Sequence, residues 1–359
     1  MGSGIGAISA SRAGPIGRGG LIGIARPAIL GRRASGGRTP RHSTLPISPT
    51  MPIARVAFVT SHAHSTLSAD DRLAVDALGS AGVAVEPAVW TDPSVGWSDF
   101  DLVVIRSPWD YHLRAEEFGR WLDKMVMDGI PLWNPADLVR WNADKASYLR
   151  EVEDAGVPVV PTECVARGRP LELAAILERR GWDEVVVKPA VSASAWGTSR
   201  QSRSTAAEAD AMAAEMLRAG SLLVQPFVPE IATAGEWSLV FLGGRFSHAV
   251  LKRPAAGDFR VQADHGGSAR AASPPPHLVA AAERALSAVR HPWLYARVDG
   301  VESAGRFLLM ELEMIEPSLF LAHSADAPRA FADATVGVLE SGRAEPALAS
   351  ASASAPARA

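Results

Sequence analysis

From residue 53 onward the chain alternates short apolar runs with stretches of helical spacing. IARVAFVT (residues 53–60) has the near-continuous apolar character of a strand buried on both faces, and it ends in the polar loop 61–68. Residues 70–80 place Leu73, Val75 and Leu78 at helical intervals, and Gly82 ends that pattern. Strands follow at 83–90 and 101–106, then a helix over 115–128 and a short strand at 130–134. Strands alternating with helices through short loops predict a parallel, doubly wound α/β unit. Ligands of such sheets bind beyond the carboxyl ends of the strands. His62, His64 and the RSPWDY stretch (106–111) therefore fall on the functional edge.

The pattern then becomes more mixed. NADK opens a helix over 142–156, with Asn142 or Asp144 as its N-cap. Lys145 lies in the first turn, where the helix dipole disfavours a cation, so it either meets an anion or is simply solvated. A strand is predicted at 157–166, a helix at 171–181 and a strand at 184–190, whose apolar run ends at Lys188. The small residues of SASAWGTS (192–199) form a loop whose amides can fold around phosphate. Next come a strand at 221–229 and a strand pair at 236–242 and 245–254, joined through Gly243 and Gly244. Arg260, the pair Gly266 and Gly267, and a helix over 277–289 complete this part.

Residues 297–317 read as a hairpin with Asp299 on its first strand and Glu311 and Glu313 on its second. Residues two apart on a strand share a face, so Glu311 and Glu313 project together, and Asp299 reaches that face across the hairpin. Carboxylates so placed repel one another. A hard divalent cation such as Mg²⁺ relieves the repulsion. We read the trio as a metal site, a solvated acidic face being the alternative. Arg106, at a strand's carboxyl end, either grips a substrate carboxylate in a bidentate fork or fixes its loop through Asp110 or Asp101. Two histidines one residue apart, without a further ligand, make a polar edge at His62 and His64 rather than a zinc site.

Composition narrows the function classes. Residues 1–50 hold seven arginines and no acid, while the remainder holds 29 basic and 39 acidic residues, a poor match to a nucleic-acid backbone. The leader is Gly-, Ser-, Pro- and Arg-rich, without periodicity; we expect it to be disordered, although it also resembles an organellar transit peptide, and Met51 is an alternative start. The tail from 343 is low in complexity and is expected to be disordered as well. No apolar run reaches the roughly 18 residues that span a bilayer. The single cysteine, Cys164, excludes an internal disulfide and suits the cytoplasm, where it is expected to pack as a small core residue. A dinucleotide oxidoreductase is disfavoured because no G-x-G-x-x-G follows the first strand.

The order of NADK, VVVKP, SASAWGTS, QPFV, GEWS and the acidic hairpin resembles the ATP-grasp ligases over about residues 53–334, on the branch of the O-ureido-serine cyclo-ligases of cycloserine biosynthesis. The resemblance implies an N-terminal parallel α/β domain (51–140) before a two-subdomain ATP-grasp fold (141–224 and 225–342). It implies that Lys145, Lys188 and Ser194 meet the ATP phosphates, that Gln225, Phe227 and Val228 belong to the adenine hinge, and that Glu236 holds the ribose. Asp299, Glu311 and Glu313 match the ligands of one or two Mg²⁺ ions, although relatives more often carry Asn at the third position. Arg253 and Arg260 match positions that meet the transferred phosphoryl group and the substrate. The phosphate loop has one glycine where relatives often have several, so Trp196 is placed to pack as a lid. The implied reaction activates the carboxylate of a small amino-acid-like substrate as an acylphosphate for attack by an amine, the alternative being an ATP sensor without ligation. Relatives are often dimers, so a homodimer is expected.

Overall fold

A computed structural model describes the backbone of residues 54–352 and the side chains of residues 54–342; the expectations for the leader lie outside the described residues. Strands β1 (Ala54–Thr60), β2 (Val83–Val89), β3 (Leu102–Ser107) and β4 (Leu132–Trp133) form a sheet in the order β2-β1-β3-β4. Every pairing in it is parallel. Helices α1 (Ala69–Ser80), α2 (Ala115–Met127) and α3 (Ala136–Ala143) connect or follow these strands. β1 and β3 are buried on both faces, as their unbroken apolar runs require. Phe58 and Val104 serve one core, while Ala57, Val59 and Ile105 serve another.

The second sheet has the order β5-β8-β6-β7, from β5 (Glu163–Val165), β6 (Glu184–Pro189), β7 (Ser199–Ser202) and β8 (Leu222–Pro226). Helices α4 (Lys145–Asp154), α5 (Leu173–Arg180) and α6 (Ala206–Ala219) accompany it. Asp144 caps α4, accepting from the Ala146 N–H at 3.0 Å. Only residues 163–165 of the strand expected over 157–166 pair in this sheet. Cys164 is exposed there rather than packed in a core, since strand alternation turns its neighbour Val165 inward instead.

The third sheet is antiparallel, β11-β10-β9-β12-β13. It comprises β9 (Glu236–Leu242), β10 (Arg245–Arg253), β11 (Ser268–Ala271), β12 (Tyr295–Ser303) and β13 (Arg306–Glu313). The short helix α7 (Glu230–Thr233) precedes β9, and α8 (Pro276–Ser287) lays Leu278, Ala282 and Ala285 against the sheet's apolar face. A register shift follows Asp299 on β12. Gly300 is needed there, because a Cβ would lie 2.4 Å from the Phe307 ring and 2.5 Å from the Leu308 carbonyl oxygen. Helix α9 (Ala327–Ser352) brings Phe331 edge-on to Phe58, 6.1 Å between ring centroids. Its backbone is helical to Ser352, and residues 353–359 of the expected tail lie outside the described residues.

Candidate active site

The charged face of the third sheet follows from alternation and register. On β12, Arg297 and Asp299 are two apart, and they pair across β13 with Glu313 and Glu311 respectively. On the other side Asp299 pairs with Ser238, and Glu236 pairs with Lys252 of β10. Four adjacent strands thus present one polar face to a cavity of about 400 Å³, within the range of small-ligand sites.

Asp299 is the hub of this face. It accepts from Ser238 Oγ at 2.6 Å, from Lys252 Nζ at 3.0 Å and from Arg297 Nη2 at 2.9 Å, with its side chain only 4% exposed. Burial alone would raise its pKa, but Arg297 and Lys252 outweigh that and hold the carboxyl well below the usual range. Lys252 Nζ also meets Glu236 at 2.6 Å. Burial raises the Glu236 carboxyl, against the pull of Lys252. Arg297 additionally contacts Glu313, whose carboxyl is pushed up to about 7, first by burial and then by neighbouring Asp299 and Glu311, despite the arginine.

The opposite wall supplies more cations. Lys145 is buried in the first turn of α4; its Nζ donates to the Ser192 carbonyl at 2.7 Å and meets Glu311 at 3.0 Å. Burial would lower this ammonium's pKa, but Glu311 dominates and raises it. Lys188 of β6 lines the cavity without a hydrogen-bond or ion-pair partner among the described residues, and burial lowers its pKa. Beside them Ser194, Ala195 and Gly197 adopt positive φ, and Ser194 reaches the cavity. Trp196 is half exposed and packs against His112, 5.8 Å between centroids, so it stands at the rim rather than in the lining. Gln225 and Val228 line the cavity, as does Arg260, which is held by Asp258 at 2.8 Å.

Three expected site residues stand elsewhere. Arg106 is 2% exposed and pairs with Asp71 at 2.9 Å, away from the cavity lining. Its guanidinium lies 5.0 Å from the Tyr295 ring centroid and 5.7 Å from that of Phe331, and it donates to the Pro317 carbonyl. Arg253 is exposed and outside the lining, because alternation along β10 turns its neighbour Lys252 inward. Phe227 is likewise outside the lining; its N–H continues the sheet by donating to Glu184, and its ring lies beneath Arg200, 3.7 Å from the guanidinium. The same alternation that excludes Arg253 identifies Lys252, and the i, i+2 spacing from Asp299 identifies Arg297. Sequence reasoning used neither.

After β13 the chain loses regular structure but not order, because side chains hold its carbonyls one after another. Asn142 takes Leu312 within β13, and beyond the strand Asn134 takes Met314, Tyr295 takes Ile315 and Trp109 takes Glu316. Arg106 takes Pro317, Arg297 takes Ser318 and His248 takes Leu319. Trp109 and Tyr111 of the first α/β unit thereby stand in the cavity wall beside Glu316. The RSPWDY stretch reaches the site through its aromatics rather than its arginine.

Among the described residues no three carboxylate, imidazole or thiol groups gather closely enough to hold a cation by themselves. The expected trio shares a face, but Asp299 is committed to Arg297, Lys252 and Ser238. Glu311 and Glu313 keep side-chain exposures of 26% and 28%. They are all-oxygen donors at the cavity wall, a set that suits Mg²⁺ completed by phosphate oxygens.

A parallel α/β unit and two antiparallel sheets, with lysines beside an acidic strand face, match the arrangement expected of an ATP-grasp ligase. The known proteins it matches narrow this further. Residues 56–134 match the family model described as the N-terminal domain of D-cycloserine synthetase DcsG. Cycloserine biosynthesis protein DcsG from Streptomyces lavendulae is 36% identical over 293 residues, covering 78% of this chain and 97% of that one. The chain belongs to the DcsG family of ATP-grasp ligases, a carbon–nitrogen bond-forming class. The crystal structure of D-cycloserine synthetase DcsG superposes with a TM-score of 0.73 at 33% identity, covering 79% of this chain and 99% of that one. D-alanine–D-alanine ligase from Bacillus anthracis shares the fold, with a TM-score of 0.60 at 17% identity and coverage of 82% and 99%.

Proposed function

We propose that this ligase activates the carboxylate of an amino-acid-like substrate as an acylphosphate and closes it onto a nitrogen of the same molecule, as in cycloserine-type ring formation. The observation that carries the reading is Lys188, an unpartnered ammonium at the cavity wall beside Lys145 and the 192–199 loop. A half-buried ammonium without a hydrogen-bond or ion-pair partner is costly, and a triphosphate supplies that partner. Gln225 and Val228 frame the adenine, and Glu236 accepts from the ribose hydroxyls.

A substrate carboxylate oxygen attacks the γ-phosphorus, and ADP leaves. The nitrogen then attacks the acyl carbon, its proton is lost and inorganic phosphate departs. Phosphoryl transfer needs positioning and charge neutralisation above all. Lys145 and Lys188 hold the phosphates, and Arg260 and Arg297 screen the carboxylate as it approaches them. Glu311 and Glu313 would hold Mg²⁺, which would supply further neutralisation of the triphosphate. We place the reaction in the cytoplasm, consistent with one exposed thiol at Cys164.

The test is ADP release by the purified chain with ATP and MgCl₂ against a panel of amino acids that includes O-ureidoserine, with mass analysis of products. Acid-dependent ADP release and a dehydrative or ring-closing mass change are expected, and Lys188→Met should abolish nucleotide binding. ATP binding without acid-dependent turnover would instead favour a sensor.

A further inference from the structure

The 192–199 loop meets the first α/β unit along one edge of the cavity. Ser192 to Ala195 and Thr198 form part of the lining, and Trp109 and Tyr111 of the first unit form another part. Two contacts bridge the seam between them. Ala193 packs against the apolar core that holds Ile105 and Tyr111. Trp196 lays its ring against His112, 5.8 Å between centroids and tilted by 55°. His112 stands in the short helical turn Tyr111–Arg114, its ring centroid 6.0 Å from that of Tyr111. Burial lowers the His112 pKa from its ordinary 6.5, so above that pH the ring is uncharged and the contact with Trp196 is an aromatic one.

Backbone preference alone does not hold the loop in this shape. Ser194 (φ 51°) and Ala195 (φ 55°) sit in the left-handed region, which a Cβ disfavours. Within the loop the Trp196 N–H donates to the Ala193 carbonyl at 2.9 Å and the Thr198 N–H to that of Ala195 at 3.1 Å. Lys145 fixes the start through the Ser192 carbonyl at 2.7 Å, and β7 takes up the end. Between those anchors, Ala193 and Trp196 hold the loop to the first unit. Trp196 is 48% exposed and outside the lining, so its ring bears on the loop's position rather than on a ligand. The position matters because an acylphosphate is open to water. Water oxygen adds to the acyl carbon, a proton is lost and phosphate departs, returning the acid with ATP spent. Closing the site prevents this side reaction. We propose that Trp196 and His112 close the seam against water, so that the ATP consumed is converted into ligated product. Both are positioning residues, acting through the loop and the helical turn that carry them. The proposal rests on the ligase reading and adds to it how ATP use is kept coupled to product.

The experiment counts ADP released and product formed with ATP, MgCl₂ and O-ureidoserine in ¹⁸O-labelled water. It compares the full chain with Trp196→Ala, His112→Ala and His112→Phe. Both positions are partly exposed, so neither substitution empties a core. The natural chain should form about one product per ADP. Each alanine variant should release at least about threefold more ADP per product, with label entering the carboxylate of the returned acid, while its KM for ATP stays within about threefold. His112→Phe keeps a ring against Trp196 and should restore the natural ratio. General loosening of the fold produces neither the labelled acid nor the rescue. A natural ratio in both alanine variants overturns the closure and leaves the ligase reading standing. Excess ADP with label in phosphate alone is direct hydrolysis of ATP and also overturns the closure, as does a His112→Phe enzyme as uncoupled as His112→Ala. A natural chain that releases no ADP in response to O-ureidoserine overturns the ligase reading and the closure together.

Discussion

Arg106→Ala should damage the fold before it damages substrate binding. The guanidinium is 2% exposed, pairs with Asp71 at 2.9 Å and donates to the Pro317 carbonyl at 3.1 Å. Removing one partner of a buried ion pair costs about 3–5 kcal/mol, because the other charge stays buried without compensation. Losing the bond to Pro317 adds about 1 kcal/mol. Natural stabilities are about 5–15 kcal/mol, so the variant should retain only part of its margin. Thermal unfolding should fall by roughly 8–15 °C for a chain of this size. Urea unfolding of Asp71→Asn, Arg106→Met and the double variant gives the coupling directly. The double variant should be more stable than the sum of the singles predicts, by at least about 2 kcal/mol. An Arg106→Ala protein with unchanged unfolding and only a raised KM for the acid substrate would refute this account and restore the arginine to the substrate site.

Neighbours on β10 should behave oppositely: Arg253→Ala should leave kcat/KM within about threefold, whereas Lys252→Ala strands Glu236 and Asp299 and should reduce activity at least a hundredfold, both read by ADP release. Stability should also depend on pH through Glu316. Burial, reinforced by Glu313, pushes its carboxyl up from the ordinary 4.5 to about 8. Between those values the folded chain holds a proton that the unfolded chain has released, so stability falls as pH rises through that window. Glu316→Gln should flatten the fall, by on the order of 2 kcal/mol near pH 8 after discounting for solvent in the cavity. Denaturant titrations of both proteins at pH 5 and pH 8 check it, and an unchanged slope would count against burial of this carboxyl.

The strands of the first and third sheets were legible because burial on two faces writes an unbroken apolar run, and burial on one face writes alternation. The expected NADK and VVVKP lysines reach the cavity for the same reason: each ends or opens an element whose direction is fixed. What escaped reading depends on contacts between distant segments. Arg106 sits at a strand's carboxyl end, where a ligand-binding arginine would also stand. Its burial comes from Asp71, 35 residues earlier, and from Phe331, far along the chain. Glu316 follows the end of β13, where no periodicity assigns a face. Its backbone is held within a segment whose carbonyls, Met314 to Leu319, take six side-chain donors from other elements. Helix α6 escaped reading because its buried face is mostly alanine, with Ala206, Ala209 and Ala213 ahead of Leu217, and alanine marks no apolar face by itself.

Those donors also bear on how the gene can be cut. Asn134, Trp109 and Arg106 all come from the first α/β unit, yet each caps a carbonyl beyond residue 313. Deleting that unit would leave these acceptors bare in the interior, at about 1–3 kcal/mol apiece. The portion that carries the lysines and acidic strands is thus not a transplantable cassette, and a shortened version should reach the cell as insoluble material rather than as a smaller enzyme.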